Sequence, residues 1–301
     1  MAPGRRILAR DGRLQEALDF YASRGYQISL YHHEDALPGF IKERAFDYFL
    51  LSHPGEIPFC ESLEARGAHL VGAGFLRPSA SLDKIRQKEK TKALGLSTPP
   101  SVVIRRHEKD SFLLTVRTLE MKPPYIIKNP AAHGSRGVTL LATSEEMESR
   151  VPDLLSDSDV LIMEHFIEAR ELALCLMGED EALLLPPVEI FHGGRLFSRE
   201  AKLQGFTISI PAALTKRERG RLSELAMRAY RAFECHGMVR LDMLLGRDGT
   251  PYLLEIMSFG EGMSSHHLST RSAACLGIGF FRLLLLHLDW AHSRAGRRGH
   301  G

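Results

Sequence analysis

The chain has 301 residues and a mass of 33.7 kDa, with 44% hydrophobic and 25% charged residues. This composition is typical of a globular protein with a sizeable core, and the length predicts two or three subdomains. Lys and Arg number 39 against 37 Asp and Glu, a formal net charge of +2, so the charge demands neither a nucleic-acid partner nor a membrane partner.

The N-terminus and the cysteines bear on the compartment. Only three apolar residues lead up to Arg10, too few for the core of a signal peptide, and Arg282 interrupts the apolar run after Leu276. The four cysteines lie far apart with no Cys-x-x-Cys motif, so neither a zinc knuckle nor a disulfide framework is indicated. Buried thiols in a reducing compartment fit this spacing, and we expect a cytoplasmic protein.

Strand and helix patterns alternate in the first part of the chain. Strands are predicted at 6–9, 27–31, 46–51 and 68–71, with a helix at 13–23. Alternation with short links is typical of a parallel sheet covered by helices, so residues 1–80 are predicted to form an N-terminal α/β domain. Ser81 is a suitable N-cap for a helix that runs to Leu94, which places the domain boundary near residues 77–81.

The rest of the chain predicts two mixed subdomains, at residues 81–170 and 171–301. The first has strand patterns at 101–104, 125–128, 139–142 and 160–164 and a helix at 144–155. The second has strand patterns at 172–177, 183–190 and 208–211, a hairpin at 239–256, and helices at 216–233 and 268–291. The predicted fold class is α/β and α+β, a parallel N-terminal α/β domain followed by two α+β subdomains.

The segment from Arg240 to Met257 is the most specific feature of the chain. Arg-Asp-Gly at 247–249 predicts a turn, and the apolar runs on either side predict two antiparallel strands. Asp242 and Glu255 would then lie opposite each other. Two carboxylates so close repel unless a hard cation lies between them, so they predict a site for magnesium and a polyphosphate. Two unrelated acids on a solvated hairpin face would give the same pattern.

A strand ending at Lys128 precedes a loop bracketed by Gly134 and Gly137. Glycines allow backbone N–H groups to turn toward an anion, Ser135 adds a hydroxyl and Lys128 adds a charge, so phosphate is a suitable ligand. The alternative is a flexible hairpin loop with an exposed lysine. The loop matches neither the Walker A motif nor the dinucleotide fingerprint, which argues against a P-loop kinase and a dehydrogenase.

A third motif is the apolar strand 160–164, which runs into a polar turn with Glu164 and Glu171. Backbone groups at the strand end, those of Phe166 and Ile167, could read an adenine edge, and a carboxylate could accept ribose hydroxyls. A surface turn with two acids would look the same. Farther along the chain, Lys202 is another candidate cation.

The order of these motifs resembles the ATP-grasp superfamily and, within it, the D-alanine:D-alanine ligase group, over nearly the whole chain. Each motif is short, but their shared order and spacing are specific. The residues that carry the resemblance are Asp83-Lys84, Ile127-Lys128 with 134–138, 164–171, Glu200-Ala-Lys202, Arg240-Leu-Asp242 and 255–266. The resemblance implies an ATP-grasp architecture, in which the two α+β subdomains grip ATP between antiparallel sheets.

The resemblance also implies a role for each matching residue. Arg240, the N–H of Gly262 and Lys202 would be catalytic, with Arg240 and Gly262 stabilising the developing oxyanion. Asp242 and Glu255 would hold the metal, which would be Mg²⁺ or, in its place, Mn²⁺. ATP would bind through lysines at its phosphates, a glutamate at the adenine and another at the ribose; the full set is Lys84, Lys128, Ser135, Gly137, Glu164, Phe166, Ile167, Glu171 and Lys202.

The implied reaction is ADP-forming amide synthesis, in which a carboxylate attacks the γ-phosphorus and an amine then displaces phosphate. Phosphoryl transfer needs cations spread over the phosphate oxygens and a nucleophile held in line, which these residue types supply. An acyl phosphate must also be kept from water. A loop such as 131–137 that closes over the site would serve that purpose.

One departure from the family pattern concerns the metal. The Glu-x-Asn motif of the family ends here in Met257, whose thioether is a poor ligand for Mg²⁺. Ser258, Glu261 or water would have to supply the missing oxygen, or one metal would bind weakly.

Other departures lie on the substrate side. The family carries a glycine-rich loop with a glutamate after the first strand, where this chain has Arg10 and Arg13, which suit an anion better than an ammonium. The last serine of the family stretch Pro-Gly-Met-Thr-Ser-His-Ser is replaced by His267, and the aromatic residue after the last phosphate lysine is replaced by Leu203. His53 could still line the pocket, although a histidine at a strand end is often structural. These changes argue against a housekeeping D-alanine:D-alanine ligase.

The sequence therefore predicts an ATP-dependent carboxylate-amine ligase that acts on amino-acid or dipeptide-type substrates. Two alternatives are a nucleotide-binding ATP-grasp protein with weakened or lost catalysis, of which Met257 would be the sign, and a protein-modifying amino-acid ligase. Retention of Asp242, Glu255, Arg240 and three lysines favours activity. The expected partners are a small carboxylate and a small amine, without nucleic acid or membrane, and a homodimer is left open.

Overall fold

A computed structural model describes the protein at residues 6–10, 14–31, 48–50, 69–72, 74, 84–108, 111–130, 137–258 and 260–298. Within these residues the strands form three sheets, one parallel and two antiparallel. This is the predicted combination of an α/β layer with α+β parts. Ser81, Ser135, Arg13 and His53 lie outside the described residues, as does the predicted boundary at 77–81.

The first sheet is built from the N-terminal part of the chain. Its strands are β1 (Arg6–Arg10), β2 (Gln27–Tyr31), β3 (Tyr48–Leu50) and β4 (His69–Val71), in the order β2-β1-β3-β4, and all neighbours are parallel. Helix α1 (Gln15–Ser23) connects β1 to β2. Its residues Ala17, Leu18 and Tyr21 repeat at helical spacing and are buried, as the amphipathic pattern predicts.

The second sheet belongs to the central part of the chain. Its elements are α2 (Lys84–Ala93), β5 (Ser101–Arg105), α3 (Phe112–Thr118), β6 (Tyr125–Lys128), β7 (Val138–Leu141), α4 (Ser144–Asp157) and β8 (Val160–His165). The antiparallel strand order is β5-β8-β6-β7. Helices α3 and α4 pack on one face through apolar residues such as Phe112 and Val151. Side chains alternate along a strand, so Lys128 and its neighbour Glu164 on β8 lie on the opposite face.

The third sheet contains the predicted hairpin. Its elements are β9 (Ala169–Gly178), β10 (Ala182–Leu184), β11 (Val188–Phe191), α5 (Arg199–Gln204), β12 (Thr207–Ser209), α6 (Lys216–Ala232), β13 (Gly237–Gly246) and β14 (Pro251–Met257). The strand order is β12-β11-β9-β13-β14, with β10 on β9. Leu222, Ala226 and Ala229 of α6 pack on Leu241 and Leu253 of the sheet, which closes one face and leaves the other for polar side chains.

The last two helices, α7 (Leu268–Ala274) and α8 (Phe280–Arg298), connect the parts of the molecule. Leu284 and Leu288 of α8 pack against the first sheet in the same apolar cluster as Tyr48. Tyr21 of α1 donates a hydrogen bond to Leu284 O at 2.9 Å. The C-terminal helix therefore completes the N-terminal layer.

Two element predictions need correction. The single strand predicted at 183–190 is two strands, because the Pro186-Pro187 pair between β10 and β11 cannot donate ladder hydrogen bonds. The single helix predicted at 268–291 is split into α7 and α8 at Gly277, which has a φ of 77°. These two breaks correct the predictions for those segments, whereas the division predicted between residues 170 and 171 stays a prediction; it lies near the start of β9, which begins at Ala169. No helix among the described residues has the length and apolarity to cross a membrane.

Candidate active site

The open face of the third sheet gathers the predicted acids. Asp242 on β13 is in direct register with Glu255 on β14, as the hairpin predicts. Arg240 lies two residues before Asp242 and is paired with Met257, while Glu171 on β9 is paired with Leu244. Residues two apart on a strand and residues directly opposite point to the same face. One face of the sheet therefore carries Asp242 and Glu255 side by side. Glu171 lies on the same face, a short distance along the strands.

Arg240 is held by two carboxylates. Its Nε and Nη2 donate to Asp242 Oδ1 and Oδ2 at 2.7 and 3.2 Å, and its Nη1 donates to Glu261 Oε1 at 2.8 Å. Burial alone would lower the pKa of Arg240, but the two carboxylates outweigh it and raise that pKa well above its usual range. The guanidinium is therefore a fixed positive charge beside the candidate metal ligands.

The acids fit a cation that is shared with a nucleotide. The side chains of Asp242 and Glu255 are 27% and 33% exposed, so an ion can reach them. Among the described residues, no group of three or more His, Cys, Asp and Glu side chains is arranged to hold a metal. Mg²⁺ is commonly held by one or two carboxylates together with substrate phosphates and water, and a carboxylate oxygen can accept more than one bond. Two carboxylates beside a lysine that is predicted to bind phosphate, Lys84, meet that requirement.

Both carboxylate oxygens of Glu261 accept hydrogen bonds. Its Oε1 accepts from Arg240, and its Oε2 accepts from the hydroxyl of Ser269 at 2.7 Å. In this arrangement the carboxylate of Glu261 is paired with Arg240, and the choice among Ser258, Glu261 and water for the missing oxygen stays a prediction.

On the second sheet, Glu164 lies between two lysines. Its Oε2 is 2.5 Å from Lys128 Nζ, and its Oε1 is 2.7 Å from Nζ of Lys88 on α2. Burial alone would raise the pKa of Glu164, but the two ammonium groups lower it to about 2. Burial alone would lower the pKa of Lys128, but the negative charge of Glu164 outweighs burial, so the pKa of Lys128 is raised. Lys128 is thus kept charged where the two sheets meet.

A cavity of 450 Å³ lies between the second and third sheets, within the range usual for cofactor sites. It is lined by residues predicted to bind ATP, namely Lys128, Glu164, Phe166, Ile167 and Glu171. The N–H of Phe166 already donates to Pro124 O at 3.0 Å. The ring of Phe166 lies 5.0 Å from the guanidinium carbon of Arg195 at the edge of the cavity.

Glu171 has a partner that the sequence did not indicate. The Nε2 of His192 is 3.2 Å from Glu171 Oε1, and both residues line the cavity. Burial raises the pKa of Glu171, and His192 and the N–H of Phe197 act against that shift. His192 follows β11, and only the pairing of β11 with β9 brings it beside Glu171.

The remaining predicted lysines approach the acidic face from two sides. Nζ of Lys84, at the start of α2, is 3.8 Å from Glu255 Oε2. Lys202 on α5 lies with its Nζ 4.7 Å from the ring centroid of Phe197. Partial burial lowers the pKa of Lys202, and the negative charge of Asp242 opposes that shift. Both lysines therefore lie within the field of the two acids.

Two predicted glycines occupy backbone positions that favour glycine. Gly262 has a φ of 78°, and a Cβ there would lie 3.0 Å from His287 Nε2, so a side chain would be strained and crowded. The Gly260 N–H donates to Gly72 O at 2.8 Å, and the Gly74 N–H donates to Ser258 O at 2.7 Å. The loop before Gly262 is thus tied to the N-terminal part of the chain. Gly137, with a φ of 65°, ends the predicted phosphate loop.

Glu16 is a further residue that the sequence motifs did not single out. It lies in the first turn of α1, and its carboxylate accepts bonds from the Ser265 N–H at 3.0 Å and the Ser265 hydroxyl at 2.8 Å. These bonds lower the pKa of Glu16. A carboxylate shortly after the first strand is a feature that the family pattern contains, and its place in a helix rather than in a glycine-rich loop concealed it.

The chain is similar in sequence to known ligases. Residues 91–287 match the family model described as D-ala D-ala ligase C-terminus. A D-alanine–D-alanine ligase of Bordetella petrii is 32% identical over 225 residues, which are 74% of this chain and 68% of that protein. One from Pelotomaculum thermopropionicum is 26% identical over 243 residues, 78% of this chain and 76% of that protein.

Solved structures show the same fold. The D-alanine–D-alanine ligase of Bacillus anthracis complexed with ATP has a TM-score of 0.78 at 20% identity and covers 98% of this chain and 99% of its own. The VanG D-Ala:D-Ser ligase of Enterococcus faecalis has a TM-score of 0.76 at 19% identity, with 96% and 99% covered. The resemblance drawn from the motifs is confirmed. Because the family match spans residues 91–287, the chain belongs to the D-alanine–D-alanine ligase family and is an ATP-dependent carboxylate-amine ligase with the ATP-grasp fold.

Proposed function

We propose that this ligase joins an amino acid or related small carboxylate to a small amine through an acyl phosphate, with Mg²⁺ as its metal. The register of Asp242 with Glu255 is the observation that carries the proposal, because it sets two carboxylates beside Arg240 on the face that meets the nucleotide cavity. A protein that only binds a nucleotide would need fewer charged groups on that face.

In the first step, an oxygen of the substrate carboxylate attacks the γ-phosphorus of ATP, the bond to the β,γ-bridging oxygen breaks, and ADP leaves. Lys128, Lys84 and Lys202 distribute positive charge over the phosphates. Glu171 accepts a ribose hydroxyl, and the Ile167 N–H, rather than that of Phe166, reads the adenine edge. Mg²⁺ held by Asp242 and Glu255 would neutralise charge on the β- and γ-phosphates.

In the second step, the neutral amine attacks the acyl carbon, and phosphate leaves from the tetrahedral intermediate as the amide forms. Arg240 and the N–H of Gly262 donate hydrogen bonds to the oxygen that becomes negative in this intermediate. A high pKa keeps Arg240 charged throughout. The proton lost from the amine passes to the departing phosphate or to water.

We further propose that the substrates differ from those of a housekeeping D-alanine:D-alanine ligase. The supporting observations lie on the substrate side, where His267 and Leu203 replace residues of the family pattern. Glu16, held by Ser265, keeps a carboxylate that suits an ammonium group, as in the family pattern, so the proposed difference rests on His267 and Leu203. Substrate choice within this fold varies, since a structural neighbour is a D-Ala:D-Ser ligase.

The test is ADP release from Mg·ATP in the presence of amino-acid pairs, D-alanine with itself included, with products screened by mass spectrometry for the loss of one water. We expect Asp242→Asn and Glu255→Gln each to lower the rate by at least roughly a hundredfold, because charge on the transferring phosphate is left uncompensated. Glu224→Gln, on the exposed face of α6, is the matched control and should keep the wild-type rate.

A second candidate function is nucleotide binding without turnover. The bidentate contact of Arg240 with Asp242 favours it, because in this arrangement a cation must share Asp242 with a guanidinium. ATP binding in a thermal-shift assay, with no ADP formed by any pair in the panel, would establish this function and refute the first.

A further inference from the structure

Glu261 is a buried carboxylate that is paired with an arginine, Arg240. It is distinct from Asp242 and Glu255, the two acids that the resemblance assigns to the metal. Only 4% of its surface is exposed. The family pattern has proline before the glycine that corresponds to Gly262, and this chain has Glu261 there. A buried carboxylate is costly unless it is paired, so its partners indicate its purpose.

Glu261 connects three separate elements of the site. Its Oε1 accepts from Arg240 on β13 at 2.8 Å, and its Oε2 accepts from Ser269 in the first turn of α7 at 2.7 Å. Ser269 is fully buried, so this contact is anchored on the helix side. Gly262, the next residue, carries the N–H assigned to the oxyanion.

The bonds to Arg240 leave donors for a substrate. Asp242 and Glu261 accept three of the five N–H groups of the guanidinium, and two remain after these bonds. Asp242 alone would hold one edge of the planar group, and the arginine could still swing about its side-chain torsions. The contact from Glu261 to Nη1 fixes a second edge and so sets the direction of the remaining N–H groups.

We propose that Glu261 is a positioning residue that aligns both oxyanion donors, Arg240 through its carboxylate and Gly262 through the backbone, for the amide-forming step; this rests on the proposed function. The hydrogen bonds of Gly260 to Gly72 and of Ser258 to Gly74 hold the same loop from its other side. The donors are thus aligned before the substrate binds, which is the condition under which such groups lower a barrier most.

The first readout is independent of any substrate. In protein labelled with ¹⁵N-arginine, the two Nη groups of Arg240, identified by their absence in Arg240→Lys, should give separate signals because pairing blocks rotation about the Nε–Cζ bond. Glu261→Gln should shift the Nη1 signal and speed the exchange of its hydrogens with water, while the Nη2 signal, held by Asp242, changes little. Ser269→Ala should have the same effect in part. Glu218→Gln, which alters another arginine-paired carboxylate at the start of α6, should leave both signals unchanged. An Nη1 signal in Glu261→Gln with the wild-type position and exchange rate would overturn the proposal.

The second readout uses Mg·ATP with D-alanine, or with the pair on which the wild type is found to turn over. Glu261→Gln should lower kcat roughly tenfold to a hundredfold while KM for ATP changes less than about twofold, since misaligned donors affect the transition state rather than nucleotide binding. Glu261→Asp should recover part of kcat. An unchanged kcat, or a rise in KM for ATP alone, would overturn the proposal. A wild type that forms no ADP refutes the proposed function, and the Arg240 signals then decide the role of Glu261.

Discussion

At the scale of single residues, Glu164 has partners that the sequence did not reveal. The resemblance places it at the adenine, whereas both of its oxygens face ammonium groups, those of Lys88 and Lys128. Helix α2 contains several lysines, and nothing in their spacing marks Lys88 as the buried one. The register of Asp242 with Glu255 was predictable, because it follows from a local turn. Contacts between distant segments were not.

A prediction at this scale concerns His192. If its bond to Glu171 positions that carboxylate for the ribose, His192→Ala should raise KM for ATP by roughly tenfold, the cost of about one charged hydrogen bond. KM for the 2′-deoxy or 3′-deoxy analogue that lacks the recognised hydroxyl should rise much less. Steady-state kinetics with the three nucleotides measures this, and the exposed His107→Ala is the control. Equal increases for all three nucleotides would contradict the role.

A second prediction concerns Met257, which lies on the same strand as Glu255 and two residues after it. Met257→Asn adds an amide oxygen beside the metal site and should lower the Mg²⁺ concentration for half-maximal ADP release by about tenfold, equivalent to about 1.4 kcal/mol. Met257→Leu keeps the shape without the oxygen and should behave as wild type. A Mg²⁺ titration that is the same for all three proteins would show that position 257 does not face the metal.

At the scale of elements, long periodic segments were predictable to within a few residues and short or interrupted ones were not. The helix predicted at 216–233 is α6, Lys216–Ala232, where a Thr215 to Glu218 capping box marks the start. Short helices α3 and α5 were not predicted, because seven and six residues are too few for a periodic signal. The breaks at Pro186-Pro187 and Gly277 are local signals that the hydrophobic patterns around them concealed.

The capping box of α6 gives a prediction at this scale. Thr215→Ala removes the bond that the Glu218 N–H donates to the threonine hydroxyl and the bond that this hydroxyl donates to Glu218 Oε2, while the bond from the backbone N–H of residue 215 remains. We expect the free energy of unfolding to fall by about 1 kcal/mol with KM for ATP unchanged, because α6 lies on the face of the sheet away from the cavity. Ser223→Ala in the middle of the same helix should be neutral or slightly stabilising. Urea denaturation measures both; equal stabilities would mean that the cap contributes nothing.

At the scale of the whole molecule, α8 connects parts that are distant in sequence. The helix packs on the first sheet through Leu284 and on the third sheet through Trp290, and backbone hydrogen bonds of Gly72 and Gly74 with the loop before Gly262 add a second connection. Neither link has a sequence signal. The apolar stripe of α8 predicts that the helix is buried, but the stripe does not say against which sheet.

These links predict cooperative unfolding. Trp290, the single tryptophan, is buried on α8 beside Met177 and Met238 of the third sheet, so its fluorescence reports the contact of α8 with that sheet, while far-ultraviolet circular dichroism reports all the sheets and helices. Urea curves from the two probes should coincide. Leu284→Ala opens a cavity between α8 and the first sheet and should lower the free energy of unfolding by about 3 kcal/mol. The urea midpoints from both probes should therefore fall together. A fluorescence transition at lower urea than the dichroism transition would show that α8 separates from the third sheet before the rest of the molecule unfolds.

The sequence by itself determined the fold class, the hairpin that pairs Asp242 with Glu255, and membership of a ligase family, because each depends on local periodicity, a turn or an ordered set of short motifs. Only the tertiary structure decided which charges meet. The contacts of Lys88 with Glu164, of His192 with Glu171 and of Glu261 with Arg240 join residues from separate elements. Such pairs form because burying a charge is favourable only beside its opposite, and packing decides which side chains are buried together.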